Sequence, residues 1–126
     1  MPVTKEFKLP SSPKSLDLPE KPGQKLFLSF ISSTDPVTQQ PWCPDVRAAL
    51  PVIEAKFAGD EFEVRLVEVG QRSEWRVPDN VFRTTWNVDN VPTLVRYERV
   101  DGEVKETGRL VENEILNQGS LNDLVQ

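Results

Sequence analysis

The stretch Gln40-Pro41-Trp42-Cys43-Pro44-Asp45-Val46 decides how the rest of the chain is read. It holds the only cysteine among 126 residues. Upstream, Leu26-Phe27-Leu28-Ser29-Phe30-Ile31 is apolar almost throughout, as in a central strand covered on both faces. Downstream, Val46, Ala49, Leu50, Ile53 and Phe57 fall at helical spacing. Pro44 suits the first turn of a helix, where its missing N–H costs nothing, and not a strand interior. The polar loop from Ser32 to Gln40 sets the cysteine at a strand-to-helix junction. Unpaired N–H groups at a helix start stabilise an anion, and the thiolate is the reactive form of cysteine. A lone cysteine in a small domain is most often a buried small hydrophobe. Trp-Cys-Pro after a polar loop is not a core-like tripeptide, which brings the reactive reading of Cys43 forward.

The elements on either side build an α/β chain. A helix is expected from Pro44 to Phe57, kinked at Pro51 and broken near Ala58-Gly59-Asp60. Phe62 to Val69 reads as a second central strand, so strand, helix and strand form a βαβ unit with a parallel pair. Gly70 to Pro78 reads as a loop carrying Arg72, Glu74, Trp75 and Arg76. Asp79 or Asn80 would cap a short helix to Trp86, with Phe82 and Trp86 on one face. Asn87 to Pro92 is a turn into a strand at 93–99. Asp101-Gly102 is a two-residue hairpin signal, with Glu103 to Gly108 returning. The hairpin beside the parallel pair makes the sheet mixed. Ser120-Leu121-Asn122-Asp123 is a cap signal for a last helix through Val125. At the other end, residues 4–9 read as a short edge strand. Pro10, Pro13, Pro19 and Pro22 leave room for no more than a short helix near Pro13 to Leu18.

Composition removes several classes of function. Net charge is −5 and the pI about 4.8, which argues against nucleic acid and against anionic membrane surfaces as partners. No run approaches the length of a membrane span, and Met1-Pro2-Val3-Thr4-Lys5-Glu6 lacks a signal peptide's apolar core. One unpaired cysteine fits a reducing, cytoplasmic setting. The chain has no histidine, so Ser-His-Asp and Cys-His pairs are out of reach. One cysteine without histidine cannot build a structural zinc site, and no metal is expected. No phosphate-cradling glycine motif occurs. No resident cofactor is expected, and a single domain of this size is expected to be monomeric.

With these residues on the page, the chain resembles the thioredoxin superfamily, and within it the small thioredoxin-related Clot-type family (thioredoxin domain-containing protein 17-like). That family carries W-C-P-D-C at this junction; here the motif is Trp42-Cys43-Pro44-Asp45-Val46. Pro51 matches the proline that kinks the active-site helix. Val91-Pro92-Thr93 matches the loop whose cis-proline faces the active-site cysteine. Trp75 to Phe82 is similar to the family's W-x-x-P-x-N-x-F segment. The resemblance runs from about Gln24 to the C-terminus. It implies a thioredoxin fold, a central mixed β-sheet flanked by helices, over 24–126, with 1–23 as a proline-rich N-terminal arm.

The resemblance also implies a site. Cys43 would be the catalytic nucleophile. Trp42, Pro44, Asp45, Trp75, Val91 and Pro92 would bind substrate, with Val91 pairing its backbone to a substrate segment by strand addition. Burial in the core is the alternative for Trp75, a tight structural turn for Val91-Pro92, and an ordinary exposed helix-start carboxylate for Asp45. Arg47 could add positive potential at the thiol or be a solvated helix residue. The departure is Val46, where the family has its resolving cysteine. Ser29 stands where thioredoxins carry a buried acid. No internal disulfide can form, so the dithiol cycle is closed to this chain. The expected function is thiol–disulfide exchange on a disulfide-containing small molecule or protein by a monothiol oxidoreductase. The mixed disulfide on Cys43 would be released by an external thiol. Glutathione is the expected co-substrate, and a glutathione or thioredoxin reductase system the electron source. The alternative is a redox-inactive thioredoxin-fold module that holds a peptide or partner protein.

Overall fold

The computed structural model describes residues 3–4, 8–18, 24–59 and 62–126. Five strands form one sheet: β1 (Val3–Thr4), β2 (Lys25–Ile31), β3 (Val64–Glu68), β4 (Thr93–Val100) and β5 (Glu103–Val111). Their spatial order is β1-β3-β2-β4-β5. β3 runs parallel to both β1 and β2, and β4 runs antiparallel to β2 and β5. The sheet is therefore mixed, with the apolar β2 at its centre. Phe27, Leu28, Ser29 and Phe30 are all fully buried.

Alternate side chains of a strand point to opposite faces, so Phe27 and Phe30 clothe different sides of the sheet. Phe27 meets Phe57, just past the end of α1 (Pro44–Lys56), with ring centroids 5.0 Å apart. Phe30 meets Phe82 at 6.3 Å and Trp86 at 6.1 Å. Phe82 lies on α3 (Val81–Thr84), where the Asn80 carboxamide accepts from the Phe82 N–H at 2.7 Å. Phe82 and Trp86 thus form one wall of the core, although the helix expected to reach Trp86 stops at Thr84. Along α1, Val46, Ala49 and Ile53 are buried, as their spacing requires. Pro51 lies within that helix.

The hairpin turn takes positive φ at both Asp101 (54°) and Gly102 (85°), the conformation a two-residue connection between twisted strands needs. β5 is longer than expected and reaches Val111. A bulge opposite Arg96 and Tyr97 leaves Thr107 out of register. Gly108 follows it. A Cβ there would sit 2.7 Å from Leu124 Cδ1 and 3.2 Å from the Arg96 guanidinium, so any side chain at this position would have to displace the ends of both.

Other boundaries differ from the sequence reading for local reasons. The strand expected over 4–9 is found at Val3–Thr4; residues 5–7 lie outside the described residues, and Lys8 and Leu9 are in no strand. Pro13–Ser15 is a single 3-10 turn. Leu16 and Leu18 are buried in the core, and the Leu18 carbonyl accepts from Arg99 Nε at 2.9 Å. Pro19, Pro22 and Asp60 lie outside the described residues. The loop expected over Gly70 to Pro78 contains a short helix, α2 (Arg72–Trp75), whose Glu74 carboxylate accepts from the Gln71 N–H at 2.9 Å. The last helix, α4 (Gln118–Val125), is capped by Asn117, which accepts from the Ser120 N–H at 3.0 Å. The cap read at Ser120 is therefore three residues late. Among the described residues, no helix is long and apolar enough to cross a membrane.

Candidate active site

Cys43 is the N-cap of α1. Its backbone is extended (φ −90°, ψ 122°), while its carbonyl already accepts from the N–H groups of Val46 and Arg47 at 3.1 and 3.2 Å. Pro44 follows as the first helical residue, so the helix starts at the position where proline costs least. The Cys43 N–H donates to Ser32 Oγ at 3.2 Å, and Ser32 is itself buried at the end of β2. The thiol is half-buried, and Sγ donates to the Val91 carbonyl at 3.6 Å. That carbonyl belongs to the Val91-Pro92 peptide bond, which is cis. Two segments 48 positions apart therefore meet at the sulfur. Thr93 Oγ1 donates to the Asn90 carbonyl at 2.6 Å, and the Pro92 carbonyl accepts from the Glu112 N–H at 2.9 Å. The loop is held at both ends.

Trp42 is anchored through Gly70. Its indole N–H donates to the Gly70 carbonyl at 2.9 Å, and its backbone N–H to the Ser33 carbonyl at 3.3 Å. The Ser33 N–H donates to the Gly70 carbonyl at 3.2 Å, while the Gly70 N–H returns to Ser33 Oγ at 3.0 Å. Gly70 has φ +100°, a conformation L side chains rarely adopt, and a Cβ there would press on the Glu74 side chain at 3.1 Å. The polar loop between β2 and the cysteine closes on itself. Thr34 and Pro41 bridge it, and the Asp35 carboxylate accepts from the N–H groups of Val37 (2.7 Å) and Thr38 (3.3 Å).

The residues named from sequence separate into two groups. Trp42, Cys43, Pro44, Val91 and Pro92 come together around the sulfur and its loop. Val46, at the position of a resolving cysteine, is fully buried on the first turn below Cys43. Asp45 is an exposed carboxylate in that first turn, where the helix dipole favours it. Trp75 is buried instead in the core. Arg83 lies over its ring at 3.9 Å from the centroid and donates to its carbonyl at 2.8 Å. Arg47 Nη1 donates to the Pro41 carbonyl at 2.6 Å, fastening the loop rather than facing the sulfur.

Three contributors escaped the sequence reading. Ser32 and Gly70 act through backbone pairing, which no residue-type pattern announces. Arg72 stacks over the Trp42 ring at 5.0 Å and donates through Nη2 to the Trp42 carbonyl at 3.3 Å. The signal for it was the Gln71…Glu74 spacing of a capped helix start. Ser29, on β2, is fully buried, and its hydroxyl has no hydrogen-bond partner among the described residues.

Residues 5–126 match the profile of the thioredoxin domain of thioredoxin domain-containing protein 17-like proteins. The chain belongs to that family. A thioredoxin domain-containing protein of Schizosaccharomyces pombe is 38% identical over 105 residues, covering 82% of this chain and 84% of the relative. The thioredoxin-like protein Clot of Arabidopsis thaliana is 37% identical over 95 residues, 71% of each chain. Human thioredoxin domain-containing protein 17 is 34% identical over 77 residues, 60% of this chain and 62% of its own. Among solved structures, Trichomonas vaginalis thioredoxin superposes with a TM-score of 0.60 at 14% identity, over 98% of this chain and 95% of that one. The fold is thus the thioredoxin fold, as the resemblance implied. This member of the thioredoxin domain-containing protein 17-like family is a thioredoxin-like domain, redox-type in its general class, with its one cysteine at the start of α1.

Proposed function

We propose that this protein is a monothiol thiol–disulfide oxidoreductase that works through Cys43. The observation that carries the reading is the position of its sulfur: half-buried, at the N-cap of a 13-residue helix, against the carbonyl before a cis-proline. The thiolate attacks one sulfur of a small-molecule or protein disulfide, the S–S bond breaks, and the departing half leaves as a thiolate that takes a proton from solvent. A mixed disulfide on Cys43 remains. Val46 carries no thiol, so an external thiol, glutathione in our reading, attacks that disulfide and restores Cys43. The site asks for no metal or resident cofactor. We place the protein in the cytoplasm as a monomer, where glutathione is the prevailing thiol.

The test is mass spectrometry of purified protein exposed to bis(2-hydroxyethyl) disulfide. One adduct on Cys43, removed by glutathione and absent in Cys43→Ser, is the expected result. Reduction of protein disulfides by a thioredoxin reductase system without glutathione would contradict the monothiol cycle. A second reading has its own support in Val46, which fills the resolving position with a fully buried apolar side chain. In that reading the domain is a redox-inactive module that holds a peptide or partner protein. A thiol that forms no adduct with the disulfide would select it.

A further inference from the structure

A groove of about 460 Å³ opens beside Trp42, lined by Asp35, Thr38, Arg47, Gln71, Arg72 and Arg76 together with the indole and Ser73. This is the size of an ordinary small-molecule site. Its charge is unusual for a chain of net charge −5. Three arginines converge on it, and no carboxylate among the described residues forms an ion pair with any of them. Arg47 is engaged by the Pro41 carbonyl, and Arg72 by the Trp42 carbonyl and ring. Both contacts fix a guanidinium in place and leave its charge uncompensated. The backbone N–H of Arg76 donates to the Arg72 carbonyl at 3.1 Å, its guanidinium has no hydrogen-bond partner among the described residues, and the residue is exposed. The one carboxylate in the lining, Asp35, is turned to the N–H groups of Val37 and Thr38. A concave surface with positioned, uncompensated guanidinium groups fits carboxylates, which arginine binds bidentately.

We propose that this groove makes the site selective for small disulfides that carry carboxylates. The substrate's carboxylate would rest on Arg72 and Arg76, with Trp42 as the wall between the groove and Cys43. The inference deepens the oxidoreductase reading and rests on it for the chemistry, in which the Cys43 thiolate opens the substrate's S–S bond and the other half leaves as a thiol after protonation. The anion-binding groove itself does not depend on that chemistry.

The experiment compares adduct formation on Cys43 by 3,3′-dithiodipropionate (anionic), bis(2-hydroxyethyl) disulfide (neutral) and cystamine (cationic). Each rate is divided by that of 2-mercaptoethanol with the same disulfide. The expected result is a preference of about tenfold for the anionic probe over the neutral one at low salt, the worth of one charge-assisted contact. The preference should fall in Arg72→Ala and Arg76→Ala and shrink in 0.5 M salt. Arg72→Lys should restore part of it, because the charge returns without the planar stack. Calorimetry of Cys43→Ser with 3,3′-dithiodipropionate separates the two readings. Adducts without charge preference would overturn the groove proposal and leave the exchange reading standing. A thiol inert to all three probes, with arginine-dependent binding to Cys43→Ser, would overturn exchange and leave the groove. Absence of binding to Cys43→Ser together with no charge preference would overturn the proposal outright.

Discussion

Arginines in the β4–β5 hairpin and arginines beside Trp42 do different work. In the hairpin, Arg96 donates to Thr107 Oγ1 (2.9 Å), the Thr107 carbonyl (2.7 Å) and the Leu124 carbonyl (2.7 Å), and lies 3.3 Å from Glu98. Arg109 grips Glu106 with two contacts of 2.7 Å, and that pairing raises its pKa above the ordinary arginine value. These guanidinium groups satisfy the bulge, join it to α4 and hold the far edge of the sheet. Beside Trp42, Arg47, Arg72 and Arg76 meet carbonyls, a ring or solvent, and no acid. Arg96 and Arg109 thus serve as structural cement with their charge matched by Glu98 and Glu106, whereas the three arginines beside Trp42 are a reserve of positive potential.

The comparison is most exposed to failure at Arg96. Arg96→Ala takes this donor from the Leu124 and Thr107 carbonyls and leaves the Glu98 carboxylate, which keeps the Thr107 hydroxyl, without its cationic partner in a partly buried setting. A loss of about 2–4 kcal/mol in urea unfolding is expected. An effect within about 0.5 kcal/mol would remove the distinction between the two regions. Tyr97 tests the hairpin by pH. Burial, and after it the Glu106 charge, hold its phenol well above the ordinary tyrosine range. The folded state therefore keeps the proton that the unfolded chain releases near pH 10, so this contribution is full below that pH and is lost as pH rises beyond it. Tyr97→Phe should flatten part of the alkaline decline in stability. An unchanged profile would mean that the phenol is not desolvated.

On the site side the expected effects are smaller. Ser29→Ala removes a buried hydroxyl without a partner and should raise stability by up to about 1 kcal/mol. A loss of similar size would show that the hydroxyl is satisfied. Arg72→Ala should change stability by less than about 0.5 kcal/mol, since its contacts lie at an exposed rim. A loss approaching that of Arg96→Ala would make Arg72 a structural residue and weaken its role in the groove.

What was legible in the sequence follows from what each element depends on. β2 and α1 announce themselves because burial on two faces, or along one stripe, imposes a residue pattern that runs for several turns or pleats. The Asp101-Gly102 turn is legible because two positive φ angles restrict the residues that fit. The cis bond at Val91-Pro92 came from the family resemblance, since X-Pro bonds of either isomer share the same local sequence. α2 was missed because four residues carry no periodicity. The Asn117 cap was missed because Ser120 offers a similar signal three residues later. The groove was illegible because Arg47 and Arg72 reach it from separate elements. Nothing in their spacing says that the acids lie elsewhere.

In the proposed function the fold makes Cys43 a reactive thiol. The most direct measurement is its rate of adduct formation with bis(2-hydroxyethyl) disulfide at neutral pH. The native protein is compared with the same protein unfolded in urea, each referred to 2-mercaptoethanol in the same solvent. The native thiol is expected to react faster, because its place at the start of α1 and its contact with the Val91 carbonyl hold a half-buried sulfur in one orientation. A native thiol that reacts more slowly than the unfolded one would contradict it.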